Sequence, residues 1–345
     1  MSITYQEIVS QPSIWQKILE RSDEGFPWCN KEFQRDKYSI YFIGCGTSYY
    51  LALVAASVYS RLTGACARAI TSSDVMFFPE SINCSGNVRA ITISRSGETT
   101  ETVCATQRLN KLRIPTLALT CQRDSSLSKY ADYSYVIEEA NELSVVMTRS
   151  FTGMLLVLQM LSAFHGNNVG YLNELKNLPE LGTDLLNYSL KELYELVTRD
   201  DISMITFLGQ GPFFGLASES MLKMKEMAIT PTEVFHTLEF RHGPKSIVDK
   251  TSLVFVLLSD TAKDHEIKMG LELKEQGAMI GLLGEEIPED TKNKVDAYME
   301  IRSGLSEYSR IGLFMLITQQ LAYKRAIEKG INPDTPINLS KVVTL

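Results

Sequence analysis

Short hydrophobic runs alternate with longer amphipathic segments along most of the chain. Residues 38–44 form an apolar run that ends in glycine, and a helical pattern follows over residues 50–62. Residues 91–93 form a β-branched run, after which apolar positions recur at helical spacing through residue 109. Runs of this kind predict buried strands, and the periodic segments predict helices. Repeated units of strand, loop and helix predict an α/β fold built on a parallel sheet.

Further runs extend this alternation over the first half of the chain. Strands are predicted at residues 67–70, 116–120 and 133–137. We therefore interpret residues 36–165 as one doubly wound domain. The charged and aromatic residues 1–35 are interpreted as a helical lead-in, and residues 166–199, rich in Leu, Asn and Glu, as a helical linker.

The opening pattern recurs in the second half of the chain. Residues 203–208 form an apolar run that continues into Gly209-Gln210-Gly211-Pro212. Strands are predicted at residues 253–258, 279–283 and 297–301, and an apolar helix at residues 311–328. This internal duplication predicts an α/β fold of two tandem doubly wound parallel-sheet domains. The second domain covers residues 200–330 and is followed by a tail, residues 331–345.

Hydroxyl groups are concentrated in the loops after the first and third predicted strands. The sequences of these loops are Gly44-Cys45-Gly46-Thr47-Ser48 and Ser94-Arg95-Ser96-Gly97-Glu98-Thr99. Hydroxyls beside the free N–H groups at the start of a helix suit an anion, such as a phosphate monoester, without a metal. The alternative is that the Ser and Thr residues only cap the helices. Two such loops favour the anion site, because open α/β sheets bind ligands at the carboxyl ends of their strands.

Composition narrows the range of partners. The formal net charge of −7 disfavours nucleic acid and an anionic membrane, since both require an extended basic surface. The 6 cysteines form no CxxC pair and the 4 histidines form no HExxH pair, so neither a metal nor another cofactor is expected. The first residues lack a signal-peptide pattern, and the longest apolar tract, residues 154–164, is too short to cross a bilayer. We therefore expect a cytoplasmic protein with reduced thiols.

Charged residues in the second half are candidates for catalysis. A helix predicted over residues 214–229 places Glu219, Lys223 and Glu226 on one stripe. The alternative is that this stripe is a set of solvated salt bridges. In the following segment, Glu239-Phe-Arg-His242-Gly-Pro, the histidine is either a turn residue or an acid–base group.

Taken together, these segments resemble the double-SIS (sugar isomerase) family. The resemblance is carried by the two hydroxyl-rich loops, the helix with Glu219, the turn with His242 and the tail sequence Asn338-Leu-Ser-Lys341, which agree in order and spacing. The family includes the isomerase half of glucosamine-6-phosphate synthase, stand-alone amino-sugar-phosphate deaminases and ketose/aldose isomerases. It implies two flavodoxin-like domains and a homodimer with shared active sites.

The resemblance also implies roles for individual residues. Glu226 matches the base that moves a proton between C1 and C2 of the sugar, and Lys223 is grouped with it as catalytic. His242, supplied by the neighbouring subunit, matches the group that opens the sugar ring, and Lys341 matches the lysine of a tail that closes over the substrate. The sugar phosphate is expected at Thr47, Ser48, Ser94, Arg95, Ser96 and Thr99, with further substrate-loop positions at Gly46, Thr148 and Glu239.

Two features depart from the synthase pattern. Arg95 occupies a position that is Gln in the synthase, so it either adds positive charge at the phosphate or points to solvent. No catalytic cysteine follows Met1, so we expect no glutamine-hydrolysing half and no ammonia from glutamine by that route.

The function that the resemblance predicts is that of an enzyme acting on a hexosamine 6-phosphate. The reaction comprises ring opening, proton transfer between C1 and C2, and release of ammonia. A ketose/aldose phosphate isomerase and a deglycase of phosphorylated fructosyl-amino acids remain open on the same fold. A non-catalytic regulator that binds a sugar phosphate is disfavoured, because Glu226, His242 and Lys341 are all present.

Overall fold

Two parallel β-sheets organise the chain, one in each half of the sequence. The computed structural model describes residues 2–21, 38–82 and 87–342. The first-sheet unit comprises Ser10–Pro179 and Asn338–Leu345, and the second-sheet unit comprises Met1–Val9 and Glu180–Ile337. The segment that carries Lys341 therefore groups with the first sheet.

The first sheet is built from the apolar runs of the first half of the chain. Its strands, β1 to β5, are Ser39–Gly44, Cys66–Thr71, Val88–Ile93, Thr116–Thr120 and Tyr133–Val136. They are all parallel and pair in the order β2-β1-β3-β4-β5. After α1 (Ile3–Val9), which belongs to the second-sheet unit, the helices α2 to α8 are Gln11–Glu20, Thr47–Thr63, Ser72–Phe77, Thr100–Lys111, Ser126–Tyr130, Arg149–His165 and Val169–Leu175.

The second sheet repeats this topology. Its strands, β6 to β10, are Met204–Gly209, Thr232–His236, Ser252–Leu257, Met279–Gly284 and Ala297–Glu300. They are also parallel, and β6 lies between β7 and β8 as β1 lies between β2 and β3. The helices α9 to α14 are Leu178–Asn187, Lys191–Val197, Pro212–Ala228, Lys263–Glu275, Glu289–Lys292 and Ile311–Glu328. The predicted α/β fold of two tandem doubly wound parallel-sheet domains is confirmed.

Burial of the central strands explains their sequences. All residues of β8 and β9 are buried, as expected for parallel strands that helices cover on both faces. Helix α14, which is apolar along most of its length, packs against α11 within the second-sheet unit. Asp334 joins α1 to this unit, since its carboxylate accepts the backbone N–H of Ile3 at 2.9 Å and of Thr4 at 2.8 Å. No helix among the described residues is long and apolar enough to cross a membrane.

The two halves also share the geometry of their first loop. A Cβ atom at Gly44 or at Gly209 would lie 2.6 Å or 2.3 Å from backbone of the following helix, so only glycine lets that helix approach the strand end. Gly46 and Gly211 then adopt left-handed φ angles of 53° and 57°. The duplication therefore extends from the topology to the loop conformation.

Local structure differs from the sequence pattern in a few places. No strand is predicted at β7, because Thr-Glu-Val-Phe-His is short and ends in a polar residue. The segment interpreted as a linker contains α8, α9 and α10, and the two units divide after Pro179. The lead-in contains α1 and α2. Its residues 22–35, which include Cys29, lie outside the described residues, as do Cys84 and residues 343–345 of the tail.

A partly buried histidine connects two helices of the first-sheet unit. The Tyr59 hydroxyl in α3 lies 2.7 Å from Nδ1 of His165 at the end of α7, and the two rings meet edge to face with centroids 5.6 Å apart. Burial lowers the pKa of His165 from 6.5 to about 4, because a surrounding of low dielectric disfavours the imidazolium ion.

We predict that His165 makes folding sensitive to acid. The unfolded chain binds this proton near pH 6.5 and the folded chain near pH 4, so stability falls as the pH decreases through that interval. A shift of this size corresponds to about 3 kcal/mol. Denaturant titrations at pH 7 and pH 4 are expected to show a smaller loss for His165→Asn than for wild type. The exposed His265 provides the control His265→Asn, and equal losses in all three proteins would contradict the assignment.

Candidate functional site

The hydroxyl-rich loop after β3 is folded around its own side chains. Ser94 is buried, and its Oγ accepts the backbone N–H of Gly97 at 3.1 Å and lies 3.3 Å from Oγ1 of Thr99. Gly97 has a φ of 65°, and a Cβ there would lie 2.3 Å from the Ser125 hydroxyl. Thr99 precedes α5 but makes no side-chain cap to it, so capping does not account for this hydroxyl.

The other hydroxyl-rich loop leaves the same edge of the sheet. Thr47 and Ser48 are buried in the first turn of α3, directly after β1 and the exposed Gly46. Strands β1 and β3 are parallel neighbours, with Ile43 opposite Thr92. The carboxyl ends of the two strands are therefore adjacent, which is where open α/β sheets bind their ligands.

A cavity adjoins the loop after β3. Its volume is about 380 Å³, and Ser96, Gln122, Ser125 and Lys341 are among the residues that line it. This volume falls within the range of small-molecule sites, about 300–1,000 Å³. Helix α5 begins directly after this loop, so the positive end of its dipole lies at this edge of the sheet, where it favours an anion.

Arg95 is buried rather than directed to solvent. Its guanidinium forms an ion pair with Glu142 at 3.3 Å and donates to the carbonyl of Val145 at 3.0 Å. Only 5% of Arg95 is exposed, so the solvent-directed alternative is wrong. A role at the phosphate remains a prediction.

Thr148 and Lys341 also meet Glu142. The backbone N–H and the hydroxyl of Thr148 donate to the Glu142 carboxylate at 2.5 Å and 2.8 Å. The ammonium of Lys341 donates to the Glu142 backbone carbonyl, and the Lys341 carbonyl accepts from Arg95 at 3.1 Å. The structure thus brings together three residues predicted separately, and Glu142, which joins them, was not predicted.

The charged stripe on α11 is buried. Glu219 and Lys223 have no exposed side-chain surface, and Glu226 is 19% exposed. The Lys223 ammonium lies 3.1 Å from Glu219 and 2.5 Å from Glu226. The alternative of a solvated stripe is therefore wrong. Burial alone would lower the pKa of Lys223, but the two carboxylates outweigh it and raise the pKa above its ordinary value.

The turn with His242 is exposed. Glu239 begins the short 3-10 helix Glu239–Arg241, and the His242 backbone N–H donates to the Glu239 carbonyl at 2.9 Å. Both side chains reach solvent, whereas Phe240 between them is buried in the core of the second-sheet unit. Arg241 is held by Glu272 at 2.9 Å.

A second histidine lies close to this turn in the sequence and was missed. His236 ends β7, and its ring stacks on Phe214 of α11 with centroids 3.8 Å apart. Burial lowers the pKa of His236, since it disfavours the charged ring. The sequence pattern does not predict β7, and it is this strand that places the His236 ring beside α11.

The described side chains supply hydroxyls, carboxylates and ammonium groups rather than a metal site. Within residues 2–21, 38–82 and 87–342, no group of three or more His, Cys, Asp or Glu side chains could hold a metal ion. In the first-sheet unit, hydroxyls and amides suit an anion. In the second-sheet unit, the partly exposed Glu226 carboxylate, held by a buried lysine, suits proton transfer.

The chain is similar in sequence to several known proteins. A protein-family model described as SIS domain matches residues 33–163. The D-galactosamine-6-phosphate deaminase AgaS of Shewanella sp. (strain ANA-3) is 29% identical over 98% of this chain and 89% of its own length. A glutamine–fructose-6-phosphate aminotransferase of Methanothermobacter thermautotrophicus is 27% identical over 99% of this chain, which spans 57% of that relative.

A solved structure extends the likeness over the full length. The glucosamine-6-phosphate deaminase of Thermotoga maritima is 30% identical, with all of both chains covered and a TM-score of 0.80. Identity at this level over whole chains indicates common descent as well as a common fold. This chain belongs to the SIS (sugar isomerase) domain family of phosphosugar isomerases and deaminases.

Proposed function

We propose that this chain is a hexosamine 6-phosphate deaminase with isomerase chemistry. In this reaction the sugar ring opens, a proton moves from C2 to C1, and water hydrolyses the resulting C2 imine to a ketose phosphate and ammonia. The two deaminases similar over most or all of their length support an amino sugar as the substrate. The observation that carries the proposal is the Glu226 carboxylate, partly exposed and hydrogen-bonded to a buried lysine.

The phosphate is assigned to the loops of the first-sheet unit. Ser94, Ser96 and Thr99, with Thr47 and Ser48, supply hydroxyls beside the starts of α3 and α5. A phosphate dianion gains from such donors and from the helix dipoles. Because the phosphate does not react, its binding holds the open chain in register during the proton transfer.

Glu226 is assigned the proton transfer. A carboxylate that takes the C2 proton and returns it at C1 must be ionised before the step and reachable by the carbon chain. The Lys223 ammonium, 2.5 Å from Glu226, holds the carboxylate in place, and the 19% exposure of the Glu226 side chain leaves it accessible. Glu219 balances the charge of Lys223 from the other side.

The remaining predicted residues complete the proposal. His242 is assigned ring opening and is supplied by a second copy of the chain in a homodimer. Its exposure in this chain is compatible with that role. Lys341 is assigned to the closing tail, and Glu239 and Thr148 to the support of the substrate loops.

One product assay separates this reaction from its alternatives. A deaminase releases ammonium with a ketose phosphate, whereas a ketose/aldose isomerase forms its product without ammonium. A deglycase releases an amino acid from a phosphorylated fructosyl-amino acid. A regulator binds a sugar phosphate without turnover, and the pairing of the buried Lys223 with the partly exposed Glu226 argues for an enzyme instead.

We predict that Glu226→Gln abolishes most of the turnover. The amide keeps the shape of the side chain but cannot accept the C2 proton, so kcat for ammonium release from glucosamine 6-phosphate or galactosamine 6-phosphate is expected to fall by at least about 100-fold. The control is Glu275→Gln at an exposed position of α12. Turnover by Glu226→Gln that stays close to wild type would refute the role of this residue.

We also predict that the double change Ser94→Ala and Ser96→Ala weakens substrate binding. Each lost hydrogen bond to a charged group costs about 1.5–3 kcal/mol, so KM is expected to rise by at least about 10-fold. Steady-state kinetics and binding of inorganic phosphate measure this effect. Ser13→Ala, at an exposed position of α2, is the control. Unchanged affinity for both ligands would place the phosphate elsewhere.

A further inference from the structure

Arg95 lies within the loop after β3, residues 94–99, to which the phosphate is assigned and which is called the phosphate loop below. Its side chain is bound to other segments of the same unit. It stands between Ser94 and Ser96, and its guanidinium reaches the segment 142–145 and the C-terminal segment 338–342. Nη1 contacts the Glu142 carboxylate at 3.3 Å and the Val145 carbonyl at 3.0 Å, and Nη2 donates to the Lys341 carbonyl at 3.1 Å. One planar group thus joins three separate parts of the chain.

The partner of Arg95 is a carboxylate that requires a cation. Glu142 is 1% exposed. Its oxygens accept the N–H and hydroxyl of Thr148 and the N–H of Ser150 at 3.2 Å, and they also accept the Ser150 hydroxyl. These bonds orient the carboxylate, and the Arg95 guanidinium supplies the opposite charge that a buried ion needs.

The C-terminal segment is exposed, including Lys341, the residue that meets this pair. Residues 337–341 are exposed along the surface of the chain. At Lys341 the carbonyl accepts from Arg95, and the ammonium donates to the Glu142 backbone carbonyl. An exposed terminal segment is otherwise poorly ordered, so these bonds fix the position of Lys341.

We propose that Arg95 is a positioning residue that holds the C-terminal segment, and with it Lys341, beside the phosphate loop. A glutamine at this position has a shorter side chain and a single amide, so it cannot replace both the ion pair and the bond to Lys341. The catalytic consequence rests on the proposed function, whereas the structural consequence does not.

Trypsin cleavage of the Lys341–Val342 bond in the native chain tests the structural consequence. Trypsin requires a free lysine side chain and an accessible carbonyl, and Arg95 and Glu142 occupy both. Cleavage of a briefly opened segment follows the open population. In Arg95→Lys, the ammonium keeps a charge near Glu142 but lacks the planar fork, so the cleavage rate is expected to rise by about 10-fold.

Two further variants separate this effect from a general loss of stability. The double variant Arg95→Gln with Glu142→Gln removes both charges and leaves no unpaired buried ion, and it is expected to show the same rise. Arg199→Gln, which breaks an exposed ion pair with Asp201, is the control. Cleavage after Lys250, in an exposed turn, is expected to be unchanged in all variants. Equal cleavage at Lys341 in wild type and both Arg95 variants would overturn the proposal.

Kinetics test the catalytic consequence. If Lys341 acts on the bound substrate, Arg95→Lys is expected to lower kcat by about 10-fold. KM is expected to change by less than about 2-fold, because the Ser and Thr hydroxyls assigned to phosphate binding are intact. A rise in KM at constant kcat would instead make Arg95 a phosphate ligand and overturn the positioning role. If wild type turns over no amino-sugar phosphate, the proposed function fails, and the cleavage rates still decide the role of Arg95.

Discussion

A charge that leaves water must be compensated inside the protein, and this constraint shapes the functional groups of both units. An isolated buried ion costs several kcal/mol, so buried ions occur with partners. In the first-sheet unit the ion is Glu142, which Arg95 and a set of hydroxyl and amide donors compensate. In the second-sheet unit it is Lys223, which Glu219 and Glu226 compensate. In the second-sheet unit one partner, Glu226, is partly exposed. In the first-sheet unit both partners are buried, and Arg95 also donates to the backbone carbonyl of the exposed Lys341.

The duplicated fold gives these two charge clusters different surroundings. Both sheets have the same strand order, and both first loops use a glycine at φ near 55° (53° and 57°) before a helix. The loop after β1 then continues with Thr47 and Ser48, whereas the loop after β6 continues with Pro212 and Phe213. The first copy therefore offers hydroxyls to an anion, and the second copy has a carboxylate on the helix that follows. On a repeated backbone, divergent side chains give the two copies different chemistry, and the proposed function assigns phosphate binding to one copy and acid–base chemistry to the other.

Much of the fold could be predicted because parallel strands have a distinctive sequence. The run at residues 116–120 coincides with β4, and the apolar helix at residues 311–328 coincides with α14. Strand β7 escaped prediction because it is an edge strand of five residues in which polar and apolar residues mix. The burial of Lys223 could not be predicted from spacing, since a charged stripe has the same sequence pattern whether water or protein covers it. The hydrogen bonds of Arg95 to residues 142 and 341 join positions far apart in sequence, so no local sequence pattern predicts them.

The proposed function requires the chain to move a carbon-bound proton of a phosphorylated amino sugar. Proton NMR of glucosamine 6-phosphate or galactosamine 6-phosphate incubated with the chain in D₂O measures this step directly. The C2 proton signal is expected to disappear as ammonium and a ketose phosphate form. Persistence of the C2 proton signal for both sugars, under conditions in which the sugar phosphate is bound, would contradict it.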